Sequence, residues 1–176
     1  GFGVMIIKGW AKILVFIVLA PDMGLVIGNL LLVAASWLVH TKPLNVINVW
    51  SKRMQFVSAA LYSLGHGGND AQKTMGIISS LLFSGGLLKK FYIPLWVVLA
   101  AHTAIALGTL TGGWRIIKTM GQKIVKLRPI DGFCAETASA TSIFVATYLG
   151  VPVSTTRVIT GAIAGVGSVK SVSAIN

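Results

Sequence analysis

Gly65-His66-Gly67-Gly68-Asn69-Asp70-Ala71-Gln72-Lys73-Thr74-Met75-Gly76 sets an acid, an amide, a base and several glycines inside a long apolar stretch. In hydrocarbon a single carboxylate costs roughly 2.5–3.5 kcal/mol on insertion scales. A membrane chain that carries such a cluster is expected to use it to hold something polar. The glycines let the backbone leave helical geometry. Asn69 or Asp70 is then a good N-cap for a second half-helix. On that reading the amides of Ala71, Gln72 and Lys73 point into a break, and a helix N-terminus with unpaired N–H groups favours an anion.

The rest of the chain agrees with a membrane setting. It is 55% hydrophobic and only 11% charged, where soluble domains carry about 25% charged residues. The 15 Lys and Arg against 4 Asp and Glu leave a formal charge of +11. The basic residues lie mostly between or at the ends of apolar runs, as the positive-inside rule produces, so nucleic acid is not expected as a partner. The single cysteine, Cys134, cannot form an intrachain disulfide and is expected to pack. There is no phosphate-binding P-loop, no Cys/His zinc spacing and no suggestive Ser–His–Asp context. No enzyme is expected.

Outward from the motif, one apolar span covers about 10–39, interrupted at Pro21-Asp22-Met23-Gly24. It is expected to be a single bent helix, with Asp22 capping its second half. A polar connection over 40–53 leads to the region 54–83, broken at the motif. A further span covers about 92–110. The segment 113–130 reads as a basic cytoplasmic linker with Arg115, Lys118, Lys123, Lys126 and Arg128. The region 131–169 has two halves that meet at Val151-Pro152-Val153-Ser154-Thr155-Thr156. If both broken regions cross, 41–53 and 113–130 share the cytoplasmic side, opposite Lys8, Lys12, Lys89 and Lys90.

The second break repeats the logic of the first. Pro152 stops a helix, and Ser154 or Thr155 caps the next one. Gly161 and Gly165 stand four apart and allow close helix contact in lipid. Paired broken segments point to a secondary-transporter site. Two half-helix N-termini meeting there would cradle an oxyanion, with a cation between Asp70 and Glu136 to balance the acids. Lys73 is placed either on the anion or on Asp70. The structural alternatives are plain capping for Asp70 and for Ser154, Thr155 and Thr156, and an interfacial position for Glu136. A His66–Asp70 metal pair lacks a third ligand nearby in sequence.

These residues carry a resemblance. The segment 65–76 is similar to the G-x-N-D signature of the inorganic phosphate transporter (Pit) family. Gly132-Phe133-Cys134-Ala135-Glu136 and the stretch from Pro152 through Arg157 to Gly161 resemble that family's C-terminal motif. The similarity runs over nearly the whole chain, like the C-terminal half of a bacterial member. It implies an all-α, polytopic membrane helical bundle with two broken or re-entrant segments, one half of an inverted repeat. It implies a multi-pass protein of the cytoplasmic membrane that imports inorganic phosphate with Na⁺ or H⁺, or carries a neutral metal–phosphate complex. Asn69 and Asp70 would serve cation and phosphate, with Asp70 the Na⁺ ligand if sodium couples. Glu136 would support transport, and Ser154, Thr155 and Thr156 would help hold phosphate. The partners implied are the lipid bilayer, the N-terminal half of the same transporter and a possible homodimer. Many relatives carry His where this chain has Arg157. The chain, 1–176 as one transmembrane domain, is expected to supply half of the site. Sulfate symport and a non-transporting subunit or sensor are the alternative functions.

Overall fold

The computed structural model describes residues 7–123 and 127–173, with side chains over 11–111 and 127–169. Five helices follow one another: α1 (Ile7–Val39), α2 (Leu44–Ser84), α3 (Leu95–Lys123), α4 (Pro129–Tyr148) and α5 (Thr155–Ser173). Among the described residues there is no strand.

α1 is unbroken through Pro21, so Asp22 is an exposed mid-helix residue rather than a cap. Its segment Ala11–Val39 has a mean hydropathy of 2.1 and is long and apolar enough to cross a membrane. Leu14, Val18, Val26 and Leu30 lie exposed along it, a surface suited to lipid tails. Leu95–Thr111 of α3 is a shorter apolar stretch. The helix of α3 runs past the expected end near 110 to Lys123, into the basic linker. Most of that linker's side chains lie outside the described residues.

The long helix α2 corrects the first expected break. It is continuous from Leu44 to Ser84, so it also absorbs most of the polar connection expected over 40–53. At 1.5 Å per residue, its 41 residues make a rod of roughly 60 Å. Each glycine costs a helix about 1 kcal/mol relative to alanine. Opposing that, a helix pairs every interior N–H and C=O where hydrocarbon offers no partner. Gly65 also packs tightly: an added Cβ would sit 3.3 Å from Ile143 Cγ2 of α4.

The second break is present. α4 ends in a Schellman turn, with Gly150 N–H donating to the Thr147 carbonyl and Val151 N–H to the Ala146 carbonyl. Gly150 takes a φ of +68° there, a region open to glycine at little cost. The Lys12 ammonium donates to the Leu149 carbonyl, placing a cation at the C-terminal end of the α4 dipole.

α1 and α5 meet through four glycines. A Cβ on Gly161 would fall 2.2 Å from the Pro21 carbonyl oxygen, and one on Gly165 2.0 Å from that of Leu25. Gly24 and Gly28 answer from α1, at 2.5 Å from the Val158 oxygen and 2.7 Å from that of Ala162. The close contact expected from Gly161 and Gly165 is therefore two-sided. Beside it, Leu32, Cys134, Ala138, Ala162 and Val166 form an apolar core, so Cys134 packs as expected.

At the start of α4, Asp131 is fully buried. Its carboxylate accepts from Arg128 N–H at 2.7 Å and from the guanidinium at 3.3 Å. This closes a capping box on the helix.

Candidate functional site

The motif on α2 meets the loop between α4 and α5 at one atom, the Val153 carbonyl oxygen. Asn69 Nδ2 donates to it at 3.2 Å and Lys73 Nζ at 2.9 Å. Asn69 and Lys73 stand four apart on one helix face. Val153 lies in the link between α4 and α5, which belongs to neither helix. Asn69 is buried at 1% exposure, and its Oδ1 has no partner.

Asp70 lies beside this contact. Its Oδ1 accepts from Lys73 Nζ at 2.9 Å, and its Oδ2 is 3.3 Å from His66 Nε2. An ammonium has three N–H donors. Lys73 commits two of them, one to Asp70 and one to Val153. The sequence reading left Lys73 between an anion and Asp70; the structure pairs it with Asp70.

One residue past Val153 begins the N-terminus of α5. The first helical hydrogen bond runs from Val158 N–H to the Ser154 carbonyl. The amides of Thr155, Thr156 and Arg157 therefore have no acceptor within the helix, and they carry the positive end of its dipole. Thr155 is buried, while Ser154, Thr156 and Arg157 are exposed. Ser154 and Arg157 line a cavity of about 30 Å³ with Phe16, Ala20, Pro21 and Pro152. That volume holds about one water.

Two expectations about the site need correcting. The amides of Ala71, Gln72 and Lys73 are not released at a break, because α2 is continuous and commits them to carbonyls four residues back. Ala71 faces away from the loop and packs with Met75, Val97 and Ala101 against α3. Gln72 is exposed. Of the two helix ends expected at the breaks, only that of α5 is present among the described residues.

The second correction concerns Glu136. It accepts from Ser58 Oγ at 2.5 Å, and the Gln55 side chain bonds it too. Ser58 lies about three turns, roughly 18 Å, from Asp70 along α2. One cation cannot bridge the two acids as expected, since ligand distances to a hard cation are only about 2–2.6 Å. Among the described residues no group of three His, Cys, Asp or Glu could hold a metal ion.

Ser58 and the Val153 carbonyl were missed in sequence. Ser58 had a signal: Ser51, Ser58 and Gly65 repeat every seven residues and are all buried in α2. A backbone carbonyl such as that of Val153 has no residue type by which to be found.

The fold and site define a helical membrane protein with a polar centre where a helix face meets an interhelical loop. Comparison with known proteins sharpens this. Residues 1–176 match the phosphate transporter family, and the chain belongs to that family. It is 55% identical over 99% of its length to a Rhizobium meliloti protein named "Probable low-affinity inorganic phosphate transporter", covering 53% of that relative. A Bacillus subtilis protein of the same name is 43% identical over the whole chain, again with 53% of the relative covered. One from Mycobacterium leprae is 39% identical over 95% of the chain and 41% of the relative. The chain thus spans about half the length of the curated relatives it matches. None of these relatives is named as an enzyme. No solved structure matches the chain.

Proposed function

We infer that the full-length protein is a secondary transporter that imports inorganic phosphate across the cytoplasmic membrane with Na⁺ or H⁺. This chain supplies one half of the binding site. The observation that carries the reading is the convergence of Asn69 and Lys73 on the Val153 carbonyl. It sets a carboxylate and an ammonium beside the orphan amides of a helix N-terminus, inside a chain of the phosphate transporter family.

The roles follow from charge. Phosphate takes the α5 end, where the amides of Thr155, Thr156 and Arg157 and the hydroxyls of Ser154, Thr155 and Thr156 donate and the dipole favours an anion. The remaining N–H of Lys73 adds a charge-assisted donor. Asp70 takes the coupling ion: a carboxylate oxygen serves Na⁺ or binds a proton, and either offsets the charge of the phosphate beside it. Asn69 locks α2 to the loop, which fixes the spacing between Asp70 and α5. Glu136 is a second, separate acid for the coupling ion. The other half of the protein, related by inverted topology, completes the site from the face of α2 that carries Gly67 and Gly68. An added Cβ at either position would meet nothing within 4 Å in this half.

The test uses the full-length protein in proteoliposomes. Asp70→Asn should abolish ³²P-phosphate uptake while leaving expression and folding intact. Unchanged uptake refutes the site. Competition by unlabelled sulfate as strong as by phosphate would reassign the substrate to another tetrahedral oxyanion.

A further inference from the structure

The link between α2 and α3 is built from residues that suit neither water nor a protein core. α2 ends in a Schellman turn. Leu87 N–H donates to the Leu82 carbonyl at 3.0 Å and Gly86 N–H to that of Phe83 at 3.1 Å, and Gly86 takes a φ of +74°. The Phe83 and Phe91 rings meet edge to face at 6.1 Å, which ties the link back to the helix end. Pro94 is buried, and its carbonyl accepts from Val97 and Val98 N–H as α3 begins. Between these ties Leu87, Phe91, Tyr92 and Ile93 are exposed, and Leu95 and Trp96 follow them. Leu87 is 75% exposed and Leu95 73%. So many exposed apolar side chains in so short a stretch mark a surface that meets something other than water.

Lys89 and Lys90 stand in the middle of this surface, both exposed. No acid occurs in the sequence between Asp70 and Asp131. Neither lysine has an ion-pair partner among the described residues. The depth of the link follows from α2. Ser84 lies about 22 Å beyond Asn69 along the unbroken helix. With the polar centre of α2 at mid-bilayer, that level is past the hydrocarbon, which ends roughly 15 Å from the centre, and among the head groups, which extend to about 20–22 Å. Val97 packs with Met75 and returns α3 to the hydrocarbon. Tyr92 and Trp96 then flank the lysines at the depth where such rings collect. The 41–53 connection lies at the other end of α2. On the orientation that the loop charges favour, cytoplasmic retention therefore does not account for Lys89 and Lys90.

We propose that the link 85–94 is a binding site for an anionic phospholipid. Lys89 and Lys90 take the head-group charge, and Leu87, Phe91 and Leu95 lie against the acyl chains. The inference rests on the membrane setting of the chain and on the mid-bilayer placement of the α2 polar centre, and not on what is transported. Charge and surface select this occupant together. A zwitterionic lipid would cover the apolar side chains equally well but bring no net charge to the two ammonium groups; an anionic one brings it. Free phosphate would answer the ammonium groups and leave the apolar side chains uncovered.

The experiment reads Trp96 fluorescence in the full-length protein, reconstituted in bilayers of phosphatidylcholine and phosphatidylglycerol. One of the two lipids at a time carries brominated chains, which quench an indole on contact. Subtracting the quenching seen in Trp96→Phe isolates the signal of this residue. The wild-type protein should gather phosphatidylglycerol over phosphatidylcholine at Trp96 by roughly 30-fold at low salt, from about fivefold for each lysine. High salt should reduce the preference. Lys89→Gln with Lys90→Gln should bring it close to one. Lys52→Gln with Arg53→Gln, at the other end of α2, should leave it unchanged. All five substituted side chains are exposed, so these variants are expected to fold. A preference that survives in the Lys89 and Lys90 pair overturns the proposal, as does a wild-type protein with no preference. Equal loss in both pairs also overturns it, because the attraction is then that of total charge. If millimolar inorganic phosphate abolishes the preference, the lysines hold free phosphate and the lipid assignment falls. Phosphate uptake is not measured, so failure of the transport reading leaves this outcome standing.

Discussion

Gly165→Ala tests how α1 and α5 are held together. A Cβ there would lie 2.0 Å from the Leu25 carbonyl oxygen and 2.8 Å from its carbonyl carbon. Carbon and oxygen normally approach no closer than about 3.3 Å, so the helices must part locally by more than about 1 Å. A gap of 0.5–1 Å already forfeits a quarter to a half of the dispersion energy of each atom pair that it opens. Overpacking costs about 1–3 kcal/mol. The upper end applies here because the opposing atoms are backbone and cannot rotate away. Against this, alanine is favoured over glycine in a helix by about 1 kcal/mol. The net loss is about 2 kcal/mol, roughly a 30-fold shift in the folding equilibrium. At about 2–4 °C per kcal/mol, the full-length protein should melt about 4–8 °C lower. The assay is heating in detergent, followed by fluorescence-detected size-exclusion chromatography. Gly108→Ala on α3 is the control, because its Cβ meets nothing within 4 Å. It should melt at or above the wild-type temperature. If Gly165→Ala matches that control, the α1–α5 backbone contact is refuted.

Further outcomes follow from the loop and the caps. Gly150→Ala forces a Cβ into a left-handed φ of +68°. It should cost roughly 1–2 kcal/mol, lowering Tm and raising the KM for phosphate through the displaced Val153 carbonyl. Asp131→Ala removes the acceptor for Arg128 N–H at the head of α4. A thermal melt should show a loss of roughly 1 kcal/mol or more. Ser58→Ala takes the hydroxyl from the Glu136 carboxyl group, a hydrogen bond worth about 1 kcal/mol. Adding Glu136→Gln to that variant should cost less than it does alone. Strict additivity in this double-mutant cycle would show that the two side chains do not interact.

The sequence was legible where residue type alone decides the physics. Gly161 and Gly165 announce a close helix contact because only glycine permits it. Pro152 announces the gap between α4 and α5 because it has no N–H to continue a helix. The same logic failed at Gly65, Gly67 and Gly68. There glycine permits a break without imposing one, and α2 runs whole through all three. The pairing of 65–76 with 152–157 was legible as two polar interruptions in apolar chain. The atom that joins them, the Val153 carbonyl, was not.

What the sequence determined by itself is the class: a helical membrane chain whose polar residues are too few and too costly to be incidental. The family motif followed from the same residues. Tertiary structure alone decided which of those residues meet. It placed Asn69 and Lys73 on Val153 and turned Ala71 toward α3. It separated Glu136, held by Ser58, from Asp70, held by Lys73. The physical reason is that composition and breaker residues act locally along the chain. Facing is set by the rotation and register of packed helices, which depend on contacts between residues far apart in sequence.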